Sequence, residues 1–217
     1  MSQIGDCDMW ARVKRIVAVF FICLGLPACA LSVDRIEVPY QSPTAWAFVK
    51  GADKVKFTVE SSDGRTINRD RVGVKKNGYG MEMASIEAIN DIPSTVGKAI
   101  EQELASRGFV IGAGGSRVEV QITRFYNDFK IGFFAGDAVA EVNLNVRVYG
   151  SDGRLKYVRL YEARGVEPNI QLASGDNARA ALIQAFRNAV TAVVNDTRLQ
   201  DVLLLKLNEP AKSFPRS

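Results

Sequence analysis

Three successive stretches between residues 118 and 166 place apolar side chains at every second position, and that rhythm constrains the fold more than any other feature. Val118, Val120 and Ile122 alternate, and Phe125, Tyr126 and Phe129 then add aromatic bulk. Ala138 to Tyr149 carries Val139, Val142, Leu144, Val146 and Val148, with a one-residue slip of phase between Ala140 and Val142 that predicts a bulge. Ser151-Asp152-Gly153 is a tight turn, and Leu155 to Val166 returns with Tyr157 and Tyr161 on one face. Strands joined by so short a turn pair antiparallel.

Helical spacing appears twice. Ile92, Val96, Ile100 and Leu104 recur every four residues; Asp91 or Ser94 is the expected cap, Pro93 suits the first turn and Gly108 the end. Ala178, Leu182, Ala185, Phe186, Ala189 and Val193 line one side of a helix from about Gly175 to Val194, capped by Ser174 or Asp176. Its alanines suit close packing on a sheet. A short helix is expected over Arg198 to Leu205. Earlier, Val33 to Val38 alternates until Pro39, and Lys54 to Glu60 puts Val55, Phe57 and Val59 on one face. Ser62-Asp63-Gly64 reads as the turn of a hairpin with Thr66 to Val74. The predicted fold is α+β, a two-layer sandwich whose mostly antiparallel sheet carries two helices on one face. The other face is left for water or a partner.

The N-terminal segment reads differently. Arg12, Lys14 and Arg15 precede an apolar run from Ile16 to Leu26. Those eleven residues would rise about 16 Å as a helix. A bilayer core needs roughly 20 residues, so the run fits an export signal better than a membrane span. Met1 and Met9 are both eligible starts. The run ends in Leu26-Pro27-Ala28-Cys29, which resembles the lipobox of bacterial lipoproteins. The resemblance implies cleavage between Ala28 and Cys29 and a diacylglycerol on the Cys29 sulfur. Cys23 does not fit, because bulky Ile22 precedes it. The other reading is an ordinary cleaved signal that contains a cysteine. Ala30 in place of Asp after the cysteine implies, by the sorting rule of such lipoproteins, the outer membrane, with the domain on the periplasmic side. The expected organisation is a signal peptide over 1–28, a tether and first strand over 29–53, a globular domain over 54–206 and a disordered tail over 207–217.

Composition removes much chemistry. The 217 residues include no histidine and three cysteines, all within the first 29 positions. Without histidine the usual general base, the Ser-His and Cys-His pairs and most zinc sites are missing. The expectation is no enzyme, no cofactor and no metal site. Residues 1–28 hold three basic and two acidic side chains, leaving 25 and 22 beyond them, a balance of +3 with both signs scattered. That is no basic stripe, and no nucleic-acid partner is expected. A local excess at Arg65, Arg69, Arg71, Lys75 and Lys76 reads as a solvated loop, or as a contact for anionic headgroups or an acidic partner. Thr95-Val96-Gly97-Lys98 only faintly resembles a hydroxyl–lysine pair, since Val96 is already explained as helix core. Gly112 to Gly115 is a turn and not a phosphate loop, because it leads into a strand. Glu101, Glu103, Asp196 and Asp201 read as solvated helix charges. Phe125, Phe129, Phe133 and Phe134 cluster across a strand end and a loop containing Gly132 and Gly136. They are either core or an apolar edge for docking a partner.

In order, Ile92-Pro93, Leu104, Ser106-Arg107-Gly108-Phe109, a glycine-rich turn, Ile122 with Phe125-Tyr126, the Tyr157 and Tyr161 pair, and Val193 with Asp196-Thr197 and Leu199 resemble the YajG-like bacterial lipoproteins. The likeness spans about residues 90–205 and implies a lipid-anchored envelope protein without an established activity. It carries over Cys29 and no catalytic residue. The segment 60–80, rich in Arg and Lys, departs from the pattern. The functional expectation is a non-catalytic lipoprotein that meets the membrane through the lipid on Cys29 and binds an envelope protein or other component through its sheet or the Phe129–Gly136 loop. The alternative is a lipid- or glycan-binding carrier or enzyme, which would need an enclosed pocket near Phe125 and Phe133.

Overall fold

The long strand Ser116–Lys130 (β6) is the axis around which the sheet is laid out. The computed structural model describes residues 31–43 and 47–204. The expected signal segment 1–28, the expected anchor Cys29 and the expected tail 207–217 lie outside the described residues. In chain order the elements are β1 (Asp34–Ile36), a 3-10 turn (Ala52–Lys54), β2 (Lys56–Asp63), β3 (Gly73–Lys76), β4 (Glu82–Ala88), α1 (Ile92–Ser106), β5 (Val110–Ile111), β6, β7 (Gly136–Tyr149), β8 (Leu155–Ile170), α2 (Gly175–Val194) and α3 (Thr197–Leu203).

One edge of β6 pairs antiparallel with β7, from Arg117 opposite Tyr149 to Lys130 opposite Asp137. β8 continues the meander on β7. The other edge of β6 is divided. β2 lies parallel to its first half, Phe57 opposite Ser116 through Asp63 opposite Ile122, and β3 meets it at Gly73 opposite Asn127. β4 pairs antiparallel with β3, β1 lies parallel to β4, and β5 lies parallel to β2. The sheet is the expected α+β layer, with α1 and α2 on one face and α3 closing one side.

Two local expectations are corrected. The turn at Ser62-Asp63-Gly64 does not make a hairpin. Residues 65–71 leave the sheet, and β3 rejoins the same edge of β6 in the same direction. Arg65 organises the excursion. Its guanidinium is buried and grips the Asp63 carboxylate at two points, Nε to Oδ1 at 3.0 Å and a terminal nitrogen to Oδ2 at 2.9 Å. It also donates to the carbonyls of Asn68 (3.0 Å), Arg69 (3.1 Å) and Arg71 (3.3 Å). Arg65 thereby satisfies loop carbonyls that no strand partner reaches, and its hydrogen bonds hold the Asp63 carboxyl below the usual carboxylate range. The bulge expected between Ala140 and Val142 lies instead on β6, where Thr123 is the extra residue between Ile122 and Arg124. It shifts the inward parity so that Val118, Val120 and Ile122 and then Phe125 and Phe129 all face the helices, buried.

The inward residues of β7 are Ala138, Ala140, Val142, Leu144, Val146 and Val148, without a slip. Val139 points to the opposite face, across from Val166. Small residues at 138 and 140 are explained by α2. A Cβ on Gly165, which pairs with Ala140, would stand 2.2 Å from the Ala181 carbonyl oxygen and 2.5 Å from the Ala185 nitrogen. The helix rests almost backbone to backbone on β8, so Ala181 and Ala185 must stay small. Leu182 and Phe186 fill the space to either side and are wholly buried. Each such side chain contributes about 1.5–3 kcal/mol.

The helix ends follow the expected chemistry. Asp91 accepts from the Ser94 N–H at 2.7 Å, and Gly108 turns with φ of 101°. Ser174 caps α2 through the Asn177 N–H. Asp196 caps α3 and does more. Its Oδ1 accepts from the backbone of Arg198 (2.8 Å) and Leu199 (3.3 Å). Its Oδ2 accepts from the hydroxyls of Tyr157 (2.8 Å) and Tyr161 (3.0 Å) and from Arg159. The expectation of a solvated Asp196 is therefore corrected: its side chain is 5% exposed and ties β8 to the start of α3. Burial pushes this carboxyl up, but the tyrosine hydroxyls and the capping N–H groups outweigh burial and hold it below the ordinary value.

Two predictions follow from these clamps. Replacing Arg65 by Met keeps bulk but strands the Asp63 carboxylate and the loop carbonyls; urea denaturation should show a loss of about 3 kcal/mol. Asp196→Asn should cost about 1.5–3 kcal/mol at neutral pH. Because the folded pKa of Asp196 is depressed, its contribution is complete above the unfolded value of about 3.9. It fades as pH falls through the folded value, so wild type and variant should converge in acid denaturation series.

Candidate functional site

The described surface offers three places where chemistry collects: the tip of the β6–β7 hairpin, the sheet face away from the helices, and a cleft beside Arg65.

At the hairpin tip the four expected aromatics separate. Phe125 and Phe129 are core, 1% and 2% exposed, and Phe125 packs edge-on against Phe186 at 5.9 Å. Their role as partner contacts is corrected: on the inward parity of β6 they face the helix layer. Phe133 and Phe134 are 95% and 87% exposed, their rings set edge to face at 4.7 Å. Beside them a cleft of about 310 Å³ is bounded by Lys76, Gly132, Ile170 and Leu172. Below the tip, Lys76 and Lys130 share the Asp128 carboxylate, at 2.6 and 2.7 Å.

The outward face of β6 and β7 is polar. The Arg117 guanidinium lies 4.4 Å over the Tyr149 ring and pairs with Glu60 (3.1 Å) and Glu119. Arg124 pairs with Glu141 and lies 5.9 Å from the Tyr126 ring centre. Asn143, Asn145 and Arg147 continue the row along β7, and Asn145 stands between Gln121 on β6 and Leu160 on β8. These side chains are partly exposed, in contrast to the buried inward row.

Two of the five basic residues at 65–76 are internal. Arg65 and Lys75 are buried, and Lys75 reaches Asp34 at 3.0 Å. Arg69 remains 65% exposed beside Asp63, on a cleft of about 380 Å³ that Asp70 and Asp91 also line. The expectation of a simply solvated loop is corrected at Arg65 and Lys75, whose charges are spent inside the fold.

Of the carboxylates, Glu101 and Asp201 stay partly exposed, whereas Glu103 is buried. Its Oε1 accepts from the hydroxyls of Tyr40 (2.8 Å) and Ser42 (2.5 Å). This bond fixes the segment after β1 against α1, and the Tyr40 ring meets Phe186 edge-on at 5.2 Å. Burial, and then Glu103, push the Tyr40 phenol far above its usual range. Glu103 lies on the Ile92–Leu104 face of α1, so its burial follows from helical phase; its partners, some sixty residues earlier, had no local signal. In Thr95-Val96-Gly97-Lys98 the Thr95 hydroxyl donates to the Asp91 carbonyl and Val96 is core. Gly97 sits where a Cβ would come within 2.5 Å of the Ser61 Oγ. That motif is helix packing. Among the described residues no group of three or more His, Cys, Asp or Glu is placed to hold a metal, and no helix is long and apolar enough to cross a membrane.

No curated protein matches the chain. Similar solved structures include a Xanthomonas campestris protein of the DUF330 family, 16% identical over 82% of this chain and 98% of that one, with a TM-score of 0.47. Another is a minor lipoprotein from Acinetobacter baumannii, 6% identical over 70% of this chain and 92% of that one, with a TM-score of 0.38. Likeness at this level carries no functional information. The family model described as "Uncharacterized lipoprotein" matches residues 43–203, nearly the whole described domain, and the chain belongs to that family, the YajG-like lipoproteins.

Proposed function

We propose that this protein is a non-catalytic module of the bacterial envelope. Cleavage behind Ala28 leaves a diacylglyceryl Cys29 that holds it on the periplasmic side of the outer membrane. It binds an envelope component through the uncovered face of its sheet. Membership of a lipoprotein family supports the anchor, and Ala30 after Cys29 supports the outer membrane.

The observation that carries the binding reading is the outward face of β6 and β7. Apart from Val139 its alternating residues carry polar groups, and pairs such as Arg117 with Glu60 and Arg124 with Glu141 hold the side chains in place. Exposed ion pairs of this kind add little stability, about 0–1 kcal/mol each. They are therefore cheap to exchange for a partner's polar groups, and their order before binding lowers the entropy cost of docking. A flat polar face suits a protein or glycan surface. The carrier alternative draws less support, since the space around Phe125 is filled by the Phe186 ring.

Two measurements test this reading. Cells given radiolabelled palmitate should label the wild type and not Cys29→Ser, and globomycin should make the uncleaved precursor accumulate. A wild type that takes no label would end the anchor reading. Asn145→Arg places a bulky charge at the centre of the outward face without touching the core. Crosslinking in intact envelopes should give an adduct with wild type that this variant loses; an unchanged adduct would move the binding surface elsewhere.

A further inference from the structure

The strand directions put four chain segments at one end of the sheet. β3 ends at Lys76 opposite Glu82, the start of β4, so the turn 77–81 lies at that end. β1 runs parallel to β4 with Asp34 opposite Ile86, so the chain enters β1 from the side of that end, four residues along β4 from Glu82. β3 and β6 are parallel, which brings the β6–β7 tip, residues 131–135, to the same end. Gly136 opposite Ile170 adds the link into α2. Side chains tie these segments together. Asp34 bonds Lys75 at 3.0 Å and the Gly175 N–H at 2.8 Å, and Lys76 shares the cleft of Phe133, Phe134 and Leu172.

This end carries the most exposed apolar side chains of the described domain: Phe133 at 95%, Tyr79 at 92%, Phe134 at 87% and Leu172 at 74%, with Met81 at 58%. Contiguous exposure on this scale marks a surface that is covered in use. Five other phenylalanines, at 57, 109, 125, 129 and 186, are buried, so the chain has places for such rings inside. The opposite end presents Ser, Asp and Gly in the 151–153 turn, and its apolar side chains are less exposed, Ile111 at 53% and Leu155 at 52%.

The chain leading to this end decides what covers it. Asp34 is five residues from Cys29, and five residues span at most about 18 Å. With a lipid on Cys29, the start of β1 stays within that distance of the bilayer, and the aromatic end lies on the side from which the chain enters β1, about 13 Å beyond Asp34 along the strands. We propose that the end formed by Phe133, Phe134, Tyr79, Met81 and Leu172 seats in the interfacial layer of the bilayer to which Cys29 is tethered. Aromatic rings settle at the headgroup level of membranes. The lipid supplies attachment, and the rings fix the orientation, with the 151–153 end and the outward sheet face turned toward the periplasm. The inference rests on the Cys29 anchor, and the test separates the two.

Cys7 and Cys23 leave with the signal segment and Cys29 is acylated, so the mature Phe133→Cys variant carries one free thiol. The acylated full mature chain, labelled there with the environment-sensitive fluorophore NBD, is reconstituted in phosphatidylethanolamine–phosphatidylglycerol vesicles. A second sample carries the label through Ser151→Cys. Both positions are on exposed turns, so the fold is retained. The expected result is a severalfold rise in NBD emission at 133, with strong quenching by nitroxide-labelled lipids, and neither effect at 151. Acylated protein that floats with the vesicles while the two labels respond alike overturns the seating and leaves the anchor intact. A dark label at 133 that brightens only on adding solubilised envelope protein assigns the tip to a protein partner and also overturns it. Protein that lacks acyl chains and does not float overturns the anchor, and the seating falls with it.

Discussion

A single buried guanidinium lets one edge of β6 hold two strands, and the layout of the molecule follows from that. Without Arg65 the carbonyls of Asn68, Arg69 and Arg71 would lose this donor, and the route from β2 out of the sheet and back to β3 would lose its main tie. With it, β3 arrives in line with β2, β4 adds to β3, and β1 adds to β4. Lys75 is then within reach of Asp34, which fixes where the chain enters the domain.

The helix layer obeys a different constraint, that of volume. α2 approaches β8 until only glycine fits at 165 and only small side chains fit opposite it. This contact brings the sheet and helix close enough for the Phe125 ring to meet Phe186, with Phe129 and Leu182 buried in the same core. Two further carboxylates with buried side chains act at the seams. Glu103 holds the segment after β1, and Asp196 joins β8 to α3. Both are carboxylates with hydroxyl partners, and both hold elements distant in sequence.

The outside divides by character. One end is apolar and aromatic, on the side from which the chain enters; the outward face of β6 and β7 is mostly polar and ordered by ion pairs. A tethered protein can use these separately, since a membrane-seated end leaves the face across the sheet free. The proposed division of labour follows from this placement of residues and calls on no reactive group.

Periodicity alone determined most elements. The meander 118–166, both long helices, their caps at Asp91 and Ser174, and the turn at 151–153 were legible because each depends on neighbours within a few residues. Local pattern misled where a residue's partner lies far along the chain. Val139 looked inward until its pairing with Val166 was known. The 62–64 turn looked like a hairpin because the carbonyl targets of Arg65 carry no sequence signature. Phe125, Phe129, Phe133 and Phe134 formed one aromatic cluster in sequence; the bulge at Thr123 set the first two inward, and the hairpin tip carried the others into the open. The sequence determined which segments are strands, helices and turns, since those preferences arise from local backbone and side-chain sterics. The tertiary structure decided which apolar groups are core and which are surface, since burial depends on strand register and on the helix lying above.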